Sequence, residues 1–537
     1  MADVVFLNGQ VITVDPQDQI VEAVAIRGNR IVATGRNEEV KQWIRASTQV
    51  YDLKGKSLLP GFNDAHLHIT IYGTNKMGVD CKARGIDSIE SLLAALKEQA
   101  ARTPAGEWVR ANGFHEDNMR EKRFPTLQEL EQVSGEHPVF VMRTCAHHSI
   151  VNRQALQRAG FDESTPDPRG GRLQRDEQGN LTGLLIETAH MQMFEAAAFT
   201  EDEYLEGLRL AAKDFIASGI TSVHDAGGYG PANLRAMQKA VQSGDVKVRI
   251  YAMIGALNES ESFVRTMLDA GIVTGLGDER FRIGPAKVFV DGASAAATMA
   301  MREPYTSKPG DRGILYFSPD ELNRILGEAH EKGFQLTAHA QGDQAIEMLL
   351  DCFEEALKKH PRDNHRHRIE HAGVSAPDLV ERIAKLGVIP TPNPAFLYEF
   401  GDSYLHHLGE RAEHMYPVGD FVRAGVLAAG ASDCPVTAYS PLLGIHAAVN
   451  RTTKSGAIVG TRQGVSVLHA IRMFTLHGAY ASFEEEQKGS IEVGKLADLV
   501  VLNGRILDTP VEEIKEMQVE LTMIDGEILF TSQQVKM

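Results

Sequence analysis

Apolar and polar positions alternate in short runs at both ends of the chain and in longer strand-then-helix blocks between them. Near the start, VVFLNGQVITV and EAVAIRGNRIVATG read as strands with turns at Asn8-Gly9 and Gly28-Asn29. Near the end, ADLVVLNGRIL and ELTMIDGEILF repeat that texture, with turns at Asn503-Gly504 and Asp525-Gly526. Such dipeptides between alternating apolar residues signal hairpins, because they accept positive φ at little cost. The pattern predicts that the first and last segments pair in one small sheet domain.

The middle alternates strand and helix. Strand candidates fall at 58–68, 220–227, 246–254, 281–292, 334–340, 367–373, 387–396 and 425–433. Amphipathic helical runs such as YLEGLRLAAKDFIASG and QAIEMLLDCFEEALKKH separate most of them. Eight strands alternating with helices predict an α/β chain folded as a (β/α)8 barrel. The gap between the first and second strands is too long for one βα unit. Residues 73–200 are therefore expected to form an insertion with strands of its own, among them GEWVRANGF and PVFVMRTCAHH.

Composition narrows the function. The 55 basic side chains against 72 acidic ones give a formal net charge of −17, which disfavours a nucleic-acid partner held by a general basic surface. No apolar run reaches the roughly 18 residues of a membrane span, and no signal peptide is visible. The cysteines (Cys81, Cys145, Cys352, Cys434) form no CxxC pair. A reducing cytoplasm is the expectation, and thiolate-held zinc is disfavoured.

A barrel places its chemistry at the C-terminal ends of its strands. There the chain carries His66-Leu67-His68 on strand one, Lys287 on strand four, His339 on strand five, His371 on strand six and Asp433 on strand eight. Residues i and i+2 of a strand face one way, so His66 and His68 can reach one ion. Neutral imidazoles and carboxylates suit zinc, manganese and similar divalent cations. Such an ion lowers the pKa of bound water to about 7. A carboxylate beside that water, Asp433 here, takes its proton and returns it to a leaving group. Lys287 reads in two ways: carboxylated, as an anion joining two ions, or as an ordinary lysine paired with Asp291 or Glu187.

PGFNDAHLH, PAKVFVDGA, LTAHAQGDQAI, RIEHAG and AGASDCPV together resemble the motifs of the amidohydrolase superfamily, in the branch that includes N-substituted formamide deformylase. The resemblance covers nearly the whole chain. It implies a distorted (β/α)8 barrel over 58–482, holding the 73–200 insertion, and a composite β-sandwich from 1–57 and 483–537. It also implies one or two divalent ions, zinc first among them. His66 and His68 match the ligands of the more buried ion, and His339 and His371 those of the second. Lys287 matches a carboxylated bridge and Asp433 the metal-bound acid/base. The implied reaction is hydrolysis of an amide, N-formyl or N-acyl C–N bond in a small molecule. A homo-oligomer is a family-level expectation.

Other residues are candidates of lower rank. Glu187 is a competing carboxylate for the metal centre, with a rim ion pair as the plain alternative. His115, His147, Asn152 and His224 are candidate substrate-pocket residues, each also explicable by a structural hydrogen bond. Arg143, Arg302 and Arg312 are candidates for meeting a substrate carboxylate. Two rival readings follow. One is a mononuclear deaminase of a nucleobase-like heterocycle, against which stand Lys287 and the lack of a glutamate shortly after His339. The other is a non-catalytic binding protein on the same scaffold, against which stands the complete ligand set.

Overall fold

The computed structural model describes residues 1–144, 148–256 and 259–532. Its backbone divides into two compact units, Met1–Ile69 with Ala211–Met537, and Thr70–Leu210.

In the first unit the two chain ends share a β-sandwich. A four-stranded sheet runs in the order Arg30–Gly35, Ala23–Arg27, Val4–Leu7, Gln49–Asp52. A six-stranded sheet runs Glu527–Thr531, Val519–Ile524, Leu499–Leu502, Ser57–Pro60, Gln10–Ile12, Ile20–Val21. The N- and C-terminal strands meet where Leu499 lies opposite Pro60 in an antiparallel pair. Period-2 alternation sends Val4, Phe6, Val24 and Ile26 from one sheet against Leu58, Leu499, Val501, Leu521 and Met523 from the other, in one buried core.

Of the four expected turns, two close hairpins. Arg27 pairs Arg30 around Gly28-Asn29, and Ile524 pairs Glu527 around Asp525-Gly526. The other two divert the chain. Val4–Leu7 and Gln10–Ile12 belong to different sheets, so the turn at Asn8 (φ 55°) carries the chain from one to the other. After Asn503-Gly504 the chain runs through a 3-10 turn at Val511–Glu516 before Val519–Ile524 returns to pair with Leu499–Leu502.

The barrel strands of the same unit are β1 (Phe62–Leu67), β2 (Ile220–Asp225), β3 (Arg249–Ile254), β4 (Phe281–Phe289), β5 (Leu336–Ala340), β6 (Arg368–His371) and β7 (Ile389–Thr391). All neighbours are parallel, in the order β7-β6-β5-β4-β3-β2-β1. The apolar run 58–68 is thus two strands: it is cut at Gly61, with Ser57–Pro60 in the sandwich and β1 in the barrel. A side chain at 61 would clash with Thr221, at 2.3 Å from where a Cβ would sit, so only glycine passes between the two sheets. The candidate at 387–396 shortens to β7, because Pro394 starts a helix, Pro394–Leu408.

The expected eighth strand forms no regular ladder, yet its segment closes the barrel. Ala429 and Ala431 donate to the carbonyls of Pro390 and Pro392 on the β7 side. On the β1 side Ala65 N–H donates to Gly430 O, and Asp433 N–H to His66 O. Side chains take the remaining rungs: Ser432 N–H donates to Asp64 Oδ1, and Ala65 O accepts from Arg368 Nη2.

The second unit carries a six-stranded sheet ordered Gly171–Arg175, Leu181–Glu187, His148–Val151, Val139–Arg143, Val109–Phe114, Val79–Asp80. Helix Ile89–Ala100, capped by the Ser88 hydroxyl, packs Leu92 and Leu96 onto Val109, Val139 and Val141. Among the described residues no helix is long and apolar enough to cross a membrane.

Candidate metal centre

His66, the fifth residue of β1, and His68, just past its end, face one side as the strand period requires. Asp433 comes to them from the closing segment, at φ 57°. The nearest ligand atoms of these three buried residues all lie within 4.8 Å of one another. Asp433 Oδ1 is 3.3 Å from Nε2 of His66 and 3.3 Å from Nε2 of His68, and no aligned hydrogen bond reaches it.

The partners of each ring fix its tautomer. His66 Nδ1 hydrogen-bonds the Glu370 carboxylate, and His68 Nδ1 lies 2.6 Å from Gly227 O. Both acceptors require the proton on Nδ1, which leaves two Nε2 lone pairs aimed at a carboxylate oxygen. Three electron-pair donors face each other with no proton between them. That arrangement fits a divalent cation.

The other half is built from β5 and β6. His339 Nε2 lies 3.1 Å from Gly292 O, so its proton sits on Nε2 and its Nδ1 is the free donor atom. His371 Nδ1 lies 2.6 Å from Asn393 Oδ1, leaving Nε2 free. The His371 ring stands 4.7 Å from that of His66 and 4.6 Å from that of His339, centroid to centroid. His371 has φ 72°, a strained value for a bulky residue, and this turns its ring inward at the strand end. Lys287 projects from β4 with Nζ 3.4 Å from His66 Nε2.

Charge in this space is set by burial and by neighbours. Burial lowers the His339 pKa to about 4 and His371 well below its usual value, so both are neutral, the ligating form. Burial also lowers Lys287 to about 8, against the pull of Glu370 and Asp433. Glu370 is fully buried, and although desolvation is the largest single influence on it, Arg368, His66 and Lys287 together hold its carboxyl well below the usual range.

Glu370 and Arg368 were not among the residues expected from the sequence. Glu370 accepts from His66, from Thr337 Oγ1 at 2.5 Å and from Arg368 Nη2 at 3.0 Å. Arg368 Nη1 donates to His224 Nδ1 at 2.8 Å. The signal was present in RIEHAG: a carboxylate and a guanidinium, two apart, inside a strand of a buried barrel.

The remaining candidates lie as follows. His224 is fully buried in the barrel interior, its ring against Tyr251 and its Nδ1 on Arg368. His115, Asn152 and Glu187 belong to the second unit. His115 caps a short 3-10 turn and lies 3.3 Å from Arg143. Asn152 is buried and caps helix Arg153–Arg158, accepting from Ala155 and Val139 N–H and donating to His137 O. Glu187 is exposed at the end of Leu181–Glu187, with φ 51°. His147 lies outside the described residues. The three candidate arginines are engaged with this chain's own carboxylates: Arg143 with Glu116, Arg302 with Glu347 and Asp378, and Arg312 with Glu303.

The amidohydrolase family profile matches residues 49–530. An N-substituted formamide deformylase of Arthrobacter pascens is 30% identical, with 98% of each chain covered. The putative amidohydrolase YtcJ of Bacillus subtilis is also 30% identical, over 97% of this chain and 98% of its own. An uncharacterised metal-dependent hydrolase of Pyrococcus horikoshii superposes with a TM-score of 0.80 at 26% identity, covering 96% of this chain and 99% of that one. With barrel, sandwich and profile in agreement over nearly its whole length, the chain belongs to the amidohydrolase family and is a hydrolase.

Proposed function

We propose that this protein is a metal-dependent hydrolase of C–N bonds in small molecules, with N-formyl and other N-acyl amines as its first substrate class. The observation that carries the reading is Asp433 Oδ1, 3.3 Å from two imidazole lone pairs whose protons are committed elsewhere. His66, His68 and Asp433 would hold one divalent ion, and His339 and His371 a second. Lys287, carboxylated at Nζ, would be a further ligand. The nitrogen and oxygen donor set suits zinc. The relationship to an N-substituted formamide deformylase supports the choice of bond.

When bound, the ions supply Lewis acidity that activates water and polarises a carbonyl oxygen. The chain supplies the rest. His339 and His371, held neutral by burial, keep their lone pairs on the site instead of taking up protons. Asp433 takes a proton from the attacking water on its other carboxylate oxygen and delivers it to the leaving nitrogen, so amide and water become acid and amine. Glu370 and Gly227 O keep the two β1 imidazoles in one tautomer throughout.

The test is metal content per chain in protein purified without chelator, followed by a panel of N-formyl and N-acyl amines assayed for released amine. About two ions per chain and amine release are expected. Ammonia release from amino-heterocycles with no cleavage of any amide would overturn the reading in favour of deamination. Tight amide binding without turnover in the metal-loaded protein would overturn it in favour of a binding protein.

A further inference from the structure

The connection between β7 and the closing segment returns over the ends of β4, β5 and β6, and Tyr416 is where it is fastened. Every polar atom of this fully buried tyrosine is used. Its N–H donates to Gly373 O at 2.7 Å, two residues beyond His371. Its hydroxyl donates to Gln341 Oε1 at 3.0 Å, two residues beyond His339. Its carbonyl accepts from Arg451 Nη1 at 2.8 Å.

Among the described residues no carboxylate pairs with Arg451: its Nη2 and Nε donate to Met415 O and Val459 O. Burial lowers its pKa to about 9, so this guanidinium is spent on holding backbone in place. Tyr416 itself sits at φ 45°, which a bulky residue keeps only where its surroundings over-determine it.

The two strand ends are also drawn together directly. Val374 N–H donates to Gln341 O at 2.7 Å. A Cβ on Gly373 would lie 2.5 Å from both Gln341 O and Oε1, so the approach requires glycine there. The Phe396 ring, stacked 6.2 Å from His371, meets Tyr416 edge-on at 6.0 Å. Ser294, on the loop after β4, reaches the same place through Tyr404, its Oγ 3.0 Å from the Tyr404 hydroxyl.

We propose that Tyr416 is a positioning residue for the His339–His371 half of the centre: it sets the separation of the β5 and β6 ends, and so the second ion's ligand pair. The proposal rests on the two-ion reading above. A partner behind a ligand commonly controls affinity about 10–100-fold without touching the ion. Tyr416 does so one step further out, through the backbone that carries both imidazoles, so the lower end of that range applies.

The experiment is a Co2+ titration of the metal-free full chain, followed by visible absorption. The unsubstituted protein gives two phases. Tyr416→Phe, which removes only the hydroxyl, should weaken the second phase about 10-fold and leave the first phase unchanged. It should lower kcat more than it raises KM. Gln341→Met removes the acceptor of the same bond. It should give the same selective loss, and the double variant should be no worse than either single one. This second route also serves if Tyr416→Phe fails to fold. A single Co2+ phase in the unsubstituted chain would overturn the two-ion reading itself. Two phases that both variants leave unchanged, or weaken equally together with the melting temperature, would overturn the role of Tyr416 alone.

Discussion

His66 on β1 and Glu370 on β6 meet in the barrel interior, and the Nδ1 of one is bonded to the carboxylate of the other. This contact decides which nitrogen of His66 is free for an ion, and it places a full negative charge behind the ligand. Arg368 and Thr337 hold that charge in place. Glu370→Gln keeps the shape and removes the charge, so it should weaken metal binding about 10–100-fold, measured by competition with a chromogenic chelator. Because Arg368 would then be buried without a counter-ion, the pair Arg368→Met with Glu370→Gln is the control for folding. Unchanged affinity in both would show that the carboxylate is structural only.

Asp433→Asn tests the proton carrier. The amide keeps an oxygen for coordination but cannot accept the proton of water. Turnover should fall by roughly 10²–10⁴-fold, the usual contribution of general acid–base catalysis, while ion content stays measurable by elemental analysis. Near-normal turnover in metal-loaded Asp433→Asn would remove Asp433 from the mechanism.

Lys287→Ala separates the two readings of the lysine. If Nζ carries a carboxylate that joins two ions, the variant should lose the second ion and its activity. Added propionate, a small carboxylate able to enter the vacated space, should restore part of both. An ordinary rim lysine predicts full metal content and no response to propionate.

The candidate ligands were legible in the sequence because barrel strand ends concentrate rare chemistry at predictable places: HLH after an apolar strand, then Lys287, His339, His371 and Asp433 in order. Glu370 was not, and the reason is the alternation itself. Arg368 and Glu370 share the inward face of β6, so period 2 would turn the next residue, His371, away from the barrel interior. The positive φ at His371 breaks that alternation and brings its ring back, and no one-dimensional pattern announces it. The eighth strand reads as apolar and small, but whether backbone or side chains supply its rungs depends on Asp64 and Arg368, both far away in sequence.

Several ion pairs join sandwich and barrel within the first unit, among them Arg280–Asp525 and Arg30–Glu279, and one guanidinium among them is buried. Arg249, on β3 and 1% exposed, binds Asp498 at 2.7 Å and also Asp525, two carboxylates of the C-terminal strands. Arg249→Met would leave Asp498 buried without a cation, a change that typically costs about 3–5 kcal/mol. The expected result is a lower urea midpoint with metal stoichiometry intact in the folded fraction. A midpoint within error of the parent would show that the seam is held by apolar packing instead.

Acid sensitivity should come in part from three histidines at the opposite, N-terminal end of the barrel. Leu336 N–H donates to His367 Nδ1 at 3.0 Å, so His367 donates from Nε2 to His330 Nδ1, also at 3.0 Å. His330 in turn donates to His360 O at 2.7 Å. His367 N–H donates to His365 Nδ1, and His365 Nε2 to Leu386 O. Every ring is satisfied as a neutral imidazole, and Arg362, bonded to His330 O, adds positive charge nearby. Burial first, then these neighbours, lowers the pKa of His330 and His365 and puts His367 well below its ordinary value. The unfolded chain takes up protons near pH 6.5, whereas the folded cluster does not. Its stabilising contribution is therefore complete above about pH 6.5 and is lost as pH falls, by up to about 1.4 kcal/mol per pH unit for each group. Burial lowers the pKa of His339 and His371 as well, so the comparison must be between variants. His367→Gln should be less stable than the parent at pH 8 but decline less steeply between about pH 6.5 and 5, with about one proton fewer taken up on unfolding. An identical acid slope in the two proteins would show that His367 is not one of the groups that the folded state keeps unprotonated.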